Sequence, residues 1–149
     1  MAQDELLKLD RQLCFAVYAA GHAFTRFYKP RLDAIGLTYP QYLVMLVLWE
    51  EDGLTVSGLG EKLFLDSGTL TPLLKRLEAA GLLTRRRDAV DERQVRIALT
   101  EKGRALREKA HSIPLQTAKA VGMNGAEMDD VKADLVRLRD QLNATIEAN

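Results

Sequence analysis

The chain of 149 residues contains one cysteine, Cys14, in an apolar stretch that places Tyr18 four residues later. Residues four apart lie on the same face of a helix, so the Tyr18 phenol can donate a hydrogen bond to a Cys14 thiolate. The thiolate is the reactive form of cysteine. The alternative for a free cysteine is an inert, buried, small apolar side chain. A lone cysteine also gives no indication of an oxidising compartment, which favours the cytoplasm.

A second set of residues with useful chemistry lies in the middle of the chain. Ser67, Thr69 and Thr71 are short hydroxyls near the start of a predicted helix, where they suit phosphate oxygens and base edges. Residues 54–104 carry 10 basic and 7 acidic side chains, a net charge of +3. Residues 1–53, with 5 basic and 7 acidic side chains, and residues 119–149, with 4 and 6, each carry −2. This distribution favours a polyanionic partner, and the basic side chains suited to it are Lys75, Arg76, Arg85 and Arg87.

The elements that position these residues follow from hydrophobic spacing and capping signals. Apolar residues three to four apart predict one amphipathic helix over residues 5–29, with Asp4 as its N-cap and with Pro30 and Gly36 weakening or ending it. The other predicted helices cover residues 39–51, opened by a Thr38–Gln41 capping box; residues 56–63; residues 69–80; residues 101–114, capped by Thr100; and a last helix opened by Asn124 and Glu127.

Between the fourth and fifth predicted helices, the sequence indicates a β-hairpin with a charged tip. Val95, Ile97 and Leu99 alternate with polar or basic residues along its second arm. Helix, turn, helix and basic hairpin is the order of a winged helix-turn-helix, in which the second helix enters the major groove and the hairpin, or wing, reaches the minor groove. The sequence therefore predicts a mainly α, α+β fold that binds DNA. A solvated charged surface is the alternative for any single arginine, but not for the whole ordered set.

The wing region carries a family resemblance. Residues 81–85, Gly-Leu-Leu-Thr-Arg, and residues 91–103, from Asp-Glu-Arg to Glu-Lys-Gly, closely resemble the MarR family of dimeric winged-helix regulators. The resemblance covers nearly the whole chain. It implies that Asp91 pairs with Arg93 and presents this arginine to the minor groove. It also implies one domain over residues 1–149, with the winged helix in 38–100 and dimerisation helices in 1–35 and 105–149.

The N-terminal half narrows this resemblance. Residues 13–18 and 37–50 look like those of the organic hydroperoxide resistance repressors, the OhrR type. The resemblance implies that Cys14 is a peroxide sensor and that Tyr28 and Tyr39 hydrogen-bond it, with Tyr18 nearby. On one straight helix Tyr28 lies ~21 Å from Cys14, so a contact between them requires the partner subunit of a symmetric dimer.

One position indicates the subtype. Some members of that family carry a second, resolving cysteine in the loop before the last helix, at the position of Lys119 in this chain. The chain therefore resembles the one-cysteine type, whose sulfenic acid is over-oxidised or captured by an outside thiol, for which a low-molecular-weight thiol is the expected partner. His22 and His111 stand far apart, without cysteine or carboxylate at ligand spacing, so neither a metal site nor a cofactor is predicted.

Together these features predict a cytoplasmic homodimeric repressor. We expect it to bind a pseudo-palindromic operator in double-stranded DNA and to release it when an organic hydroperoxide oxidises Cys14. Two alternatives stay open: a MarR-type repressor that senses a small phenolic ligand in the dimer cleft, and a thiol peroxidase. The missing resolving cysteine and the complete DNA-binding half argue against an enzyme. No apolar run approaches the ~20 residues that span a bilayer, and the N-terminal residues lack the features of a signal peptide, so no membrane partner is expected.

Overall fold

The computed structural model describes residues 3–149 as a mainly helical protein with one two-stranded antiparallel sheet. Residues 1 and 2, which the predicted domain includes, lie outside this range. The chain forms two compact units, the first ending at Ala110 and the second comprising His111–Asn149. The elements are α1 (Gln3–Leu6), a 3₁₀ turn (Leu9–Arg11), α2 (Leu13–Asp33), α3 (Tyr39–Glu50), α4 (Val56–Leu63), α5 (Ser67–Ala79), β1 (Leu83–Arg87), β2 (Val95–Leu99), α6 (Glu101–Ala110), α7 (Ser112–Ala120) and α8 (Gly125–Glu147).

The core of the first unit lies where α3, α4, α5 and the sheet meet. The four leucines of α5 illustrate how the sequence builds it, because their spacing places all of them on one buried face of the helix. The opposite side of α5 remains exposed. Other side chains that share this core are Val44, Met45, Leu48, Leu59, Leu83 and Ile97.

The predicted capping box at the start of α3 is confirmed. Thr38 Oγ1 accepts a hydrogen bond from Gln41 N, and Gln41 Oε1 accepts one from Thr38 N, which completes the capping box of α3. Thr55 caps α4 in the same way through Gly58 N. These bonds satisfy backbone donors that have no partner within the helix, and they hold α3 and α4 at defined starting points.

Three predicted helix boundaries are wrong. The helix predicted over residues 5–29 begins only at Leu13. Helical structure is interrupted before this residue, where Gln12 Nε2 donates hydrogen bonds back to the carbonyls of Leu6 and Lys8. Asp4 lies inside α1 and is not an N-cap, and Pro30 lies inside the last turns of α2. The fourth predicted helix begins at Ser67, because Asp66 is its N-cap.

The third wrong boundary concerns the segment after the wing. The predicted fifth helix ends at Ala110 and is followed by α7, which the sequence analysis did not predict. Pro114 is tolerated there because it lies in the first turn of α7, where a backbone N–H would have no acceptor within the helix. Lys119 consequently lies in the last turn of a helix and not in a loop.

The predicted hairpin is confirmed, with Leu83 opposite Leu99 and Arg87 opposite Val95. The loop before α4 runs beside β2 as well. Leu54 O accepts from Ile97 N at 2.8 Å, and Asp52 Oδ1 accepts from Leu99 N at 2.9 Å. The segment after α3 is thereby joined to the wing by one backbone–backbone hydrogen bond and one hydrogen bond to a side chain.

The second unit consists of α7 and α8. Asn124 and Glu127 form the predicted capping box at the start of α8. Val131, Leu135 and Leu142 keep more than two fifths of their surface exposed, so α8 carries apolar surface within this chain. Its role in dimerisation stays a prediction. Within residues 3–149, no helix combines the length and the apolar character needed to cross a membrane.

Candidate functional site

The exposed side of α5 carries the polar residues that the sequence singled out. Ser67, Thr69, Lys75 and Arg76 are exposed, and Thr71 is half-buried. Asp66 Oδ1 accepts from Thr69 N at 2.7 Å, which fixes the first turn of the helix. Hydroxyls at the start and basic groups further along one helix side suit a helix that lies in a groove with phosphates along its edge.

The wing tip holds the ion pair that the family resemblance implies. Asp91 Oδ1 accepts from both Arg93 N and Arg93 Nε at 3.1 Å, and Asp91 Oδ2 accepts from Arg93 Nη2 at 3.3 Å. The Arg93 side chain is nevertheless 91% exposed, so it extends from the tip towards solvent. Hydrogen bonds from Arg93 hold the pKa of the Asp91 carboxyl below its ordinary value, which keeps it ionised at neutral pH.

The other two wing arginines that the sequence singled out, Arg85 and Arg87, differ in their surroundings. Arg85 is bound by Glu78, whose carboxylate accepts from Arg85 N, Nε and Nη2, and this bond network ties β1 to α5. Arg87 is exposed, and its Nη1 donates to the Glu92 carbonyl at 2.8 Å. The ion pair gives Arg85 a structural role, and its contact with DNA stays a prediction, as does that of Arg87.

Sequence reasoning missed a second ion pair in the wing, between Asp88 and Arg96. Arg96 Nε donates to Asp88 Oδ1 at 2.5 Å, and Arg96 Nη1 donates to the Gly53 carbonyl at 2.8 Å. Asp88 Oδ2 accepts from Asp91 N at 3.0 Å. The sequence does show an acidic and a basic residue eight positions apart, one on each side of the hairpin tip. Whether they come into contact depends on the register of the hairpin.

The predicted thiol site lies near the N-terminal end of the first unit, far along the sequence from the wing. Cys14 is exposed in the first turn of α2. Tyr18 follows one turn later with 64% of its surface exposed, and its ring packs edge-on against His22 at 4.4 Å between centroids. Cys14 and Tyr18 therefore share an exposed stretch of α2, and within residues 3–149 of one protomer no hydrogen bond to the Cys14 sulfur is found.

Tyr28 and Tyr39 come together with a third residue, Tyr42, to form a tyrosine cluster at the junction of α2 and α3. The ring centroids lie 4.9 Å apart for Tyr28 and Tyr39, and 5.7 Å apart for Tyr28 and Tyr42. Burial raises the pKa of the Tyr39 and Tyr42 phenols, and the neighbouring Tyr28 raises both further. These phenols thus stay protonated at neutral pH and remain hydrogen-bond donors. Sequence reasoning missed Tyr42, although it lies three residues after Tyr39 on one helix.

The protomer does not bring Cys14 and the tyrosine cluster together. Both Cys14 and Tyr28 belong to the uninterrupted helix α2, fourteen residues apart. At 1.5 Å per residue, their Cα atoms are ~21 Å apart along the axis. A contact between this sulfur and these phenols consequently requires two copies of the chain.

Comparison with known proteins places the chain among transcription regulators. Residues 26–110 match the family described as transcriptional regulator SarA/Rot. The chain is 56% identical over 145 residues to the HTH-type transcriptional regulator TtmR of Methylorubrum extorquens, covering 95% of this chain and 73% of that protein. It is 49% identical over 137 residues to the organic hydroperoxide resistance transcriptional regulator of Bacillus subtilis, covering 92% and 93%.

A solved structure extends the likeness to three dimensions. Reduced AbfR bound to DNA, a protein of Staphylococcus epidermidis, superposes with a TM-score of 0.81 at 38% identity, covering 98% of this chain and 99% of that one. The identities and the near-complete coverage agree with the winged-helix fold. The chain belongs to the MarR-type, OhrR-like family of winged-helix transcription regulators.

Proposed function

We propose that this protein is a homodimeric repressor that senses organic hydroperoxides by oxidation of Cys14 and then releases its operator. The observation that carries the proposal is the layout of α2. Cys14 is exposed in its first turn, while Tyr28, near its far end, packs against Tyr39 at 4.9 Å between ring centroids. When two α2 helices cross antiparallel in a symmetric dimer, the cysteine of each copy meets the tyrosine cluster of the other.

The chemistry follows from these groups. The Cys14 thiolate attacks an oxygen of the hydroperoxide, so an S–O bond forms and the O–O bond breaks. The sulfur gives up two electrons and becomes a sulfenic acid, while the alkoxide takes a proton from solvent and leaves as an alcohol. Phenols that donate to the thiolate stabilise it, and the raised pKa values of Tyr39 and Tyr42 keep these donors protonated. Phe15 and Phe24 lie on the same helix and favour an alkyl or aryl peroxide over hydrogen peroxide.

The sulfenic acid then needs a second thiol. Cys14 is the single cysteine of the chain, and Lys119 occupies the position at which a resolving cysteine is expected. A low-molecular-weight thiol supplies the partner: its sulfur bonds to Cys14 Sγ, and the sulfenic oxygen leaves as water. A bulky adduct in a packed interface favours a different arrangement of the two subunits. In that arrangement the distance between the two DNA-binding parts no longer matches the spacing of the two half-sites.

DNA binding uses the exposed side of α5 and the wing. Ser67, Thr69 and Thr71 contact base edges or phosphates at the start of α5, and Lys75 and Arg76 neutralise phosphates. Arg93 enters the minor groove. The two copies bind two half-sites of a pseudo-palindromic operator, and because chromosomal DNA is the target, the repressor acts in the cytoplasm.

The first experiment measures release. A labelled duplex that the reduced protein enriches from a random library is titrated by fluorescence anisotropy. Cumene hydroperoxide with a small thiol should abolish binding and raise the intact mass by one thiol adduct, and reductant should restore binding. Cys14→Ser should bind equally well and stay bound. A serine variant that dissociates under peroxide, or full reversible release with no thiol adduct, contradicts the proposed mechanism.

A mixed-subunit experiment tests the exchange of residues between copies. The Tyr28→Phe subunit keeps its cysteine, and the Cys14→Ser subunit keeps its tyrosine. If each sensor site combines residues of both copies, their heterodimer contains one intact site, and its cysteine should be oxidised at the wild-type rate. If Cys14 uses Tyr28 of its own chain, the heterodimer should oxidise at the slower rate of Tyr28→Phe. Mass spectrometry of the oxidised cysteine distinguishes the two results.

A further inference from the structure

We infer that Asp88 and Arg96 are positioning residues that hold Arg93 in the direction in which the wing meets DNA. This inference rests on the proposed DNA-binding function of the wing. Neither residue needs to touch DNA for this role. Each acts through hydrogen bonds within the wing and to the segment that follows α3.

The bonds form a continuous path from the body of the first unit to Arg93. Arg96 Nη1 donates to the Gly53 carbonyl, and Arg96 Nε donates to Asp88 Oδ1. The second oxygen of Asp88 accepts from Asp91 N at 3.0 Å. Asp91 in turn accepts three hydrogen bonds from Arg93. The two oxygens of Asp88 therefore bond different neighbours, Arg96 and the Asp91 backbone. Asp91 continues the path with its backbone N–H towards Asp88 and both carboxylate oxygens towards Arg93.

Arg96 is well placed to anchor this path. Its strand, β2, is joined to the loop before α4 by the bond from Ile97 N to Leu54 O, and Thr55 pairs directly with Arg96 as an isolated β-bridge. The forked guanidinium can bond Gly53 and Asp88 at the same time, which a single ammonium group cannot do in the same geometry. The wing tip is thus fixed to the segment that follows α3.

The residues of this path differ in how much of their side chains is exposed to solvent. The Arg93 side chain is 91% exposed, whereas the Asp88 side chain is 14% exposed and bonds Arg96 and the Asp91 amide. The hydrogen bond from Arg96 also holds the pKa of Asp88 below its ordinary value, which agrees with an ionised carboxylate that accepts hydrogen bonds. A free arginine on a two-stranded hairpin samples many rotamers, so fixing its partner reduces the entropy lost on DNA binding.

The two roles open to Asp88 predict opposite effects on DNA affinity. An acidic group on a DNA-binding surface repels phosphates, so removing it by itself should strengthen binding. If Asp88 positions Arg93, its removal should weaken binding. Glu92 is the matched control, because it is an exposed acid on the same tip and takes part in the wing through its backbone carbonyl, which accepts from Arg87.

The test is a double-mutant cycle on the enriched duplex with reduced protein. Asp88→Ala should bind about tenfold more weakly than Glu92→Ala, on the order of one lost arginine contact. In an Arg93→Ala background, the same Asp88→Ala change should cost less than about twofold, because its effect passes through Arg93. Arg96→Gln should behave like Asp88→Ala, with Arg96→Lys recovering part of the loss. Equal affinities of Asp88→Ala and Glu92→Ala, or equal losses with and without Arg93, overturn the inference.

A measurement on free protein separates this inference from the proposed function. The water-exchange rate of the Asp91 amide, measured by NMR, should rise in Asp88→Ala and Arg96→Gln and stay at the wild-type value in Glu92→Ala. An unchanged rate in both variants overturns the path. If the amide responds as expected but the wild-type protein enriches no duplex, the path stands and the proposed DNA-binding function fails.

Discussion

Replacing Arg93 by alanine tests whether the wing contacts DNA. The side chain is 91% exposed, and the hydrogen bonds found for it go to Asp91. Exposed ion pairs contribute little to folding, so the melting temperature of Arg93→Ala should equal that of the wild type within error. Any change in DNA affinity can then be assigned to the interface and not to unfolding.

The magnitude follows from one arginine in each copy of a dimer. Loss of one specific arginine contact weakens binding by about tenfold, so a dimer that loses two should bind on the order of a hundredfold more weakly. Each phosphate contact removed lowers the slope of log affinity against log salt by about 0.9, which gives a decrease of about two units for the dimer. The loss should be similar for many sequences, because the contact is mainly electrostatic.

Arg137→Ala is the matched control. Arg137 is also exposed, at 82% of its side chain, and it pairs with Asp134 at 3.1 Å on α8, so the same charge and the same kind of ion pair are removed. Anisotropy titrations at several salt concentrations should give this variant the wild-type affinity and slope. An Arg93→Ala protein that keeps wild-type affinity at about 150 mM salt, where exposed charges are screened beyond ~8 Å, refutes the wing assignment.

Three further predictions use other parts of the first unit. Thr69→Ala or Thr71→Ala should change the bases enriched from a random library while leaving the salt slope near the wild-type value. Gly103→Ala should destabilise the fold by about 1–3 kcal/mol in urea unfolding, because a β-carbon there overlaps a backbone carbonyl oxygen, whereas Gly125→Ala, with open space at its β-carbon, should not. The lowered pKa of Asp91 means that its contribution to the wing is present above the ordinary value of 3.8 and is lost as the pH falls through the lowered value. Wing amide shifts measured by NMR should therefore be constant between about pH 5 and 8, and a titration within that range contradicts the pairing.

Local signals account for what the sequence predicted well. The Thr38–Gln41 capping box and the alternation of β2 both depend on residues a few positions apart. Their chemistry is decided within one turn or one strand, so a single sequence reveals it. The Asp91–Arg93 pair was implied by the family resemblance, and its two members are only two residues apart.

The errors arise where distant or neighbouring residues override the local pattern. The apolar spacing before Leu13 suits a helix, yet the Gln12 side chain bonds carbonyls at the break and allows the chain to turn. Arg85 appears as a basic wing residue until the packing of β1 against α5 brings Glu78 to its guanidinium. The contact between Asp88 and Arg96 depends on strand register, which hydrophobic alternation does not specify to the residue.

In the proposed function, one helix connects the thiol chemistry to DNA binding. Tyr39 is the first residue of α3 and part of the tyrosine cluster, while the segment directly after α3 holds Gly53 and Leu54, which bond to β2 of the wing. A twelve-residue helix is a rigid rod about 18 Å long, so a tilt imposed at its first turn displaces the segment after its last turn. Contacts at both ends of one rigid element form a continuous physical path between the two sites. In this protein that element is α3, and its two ends are the tyrosine cluster and the anchor of the wing.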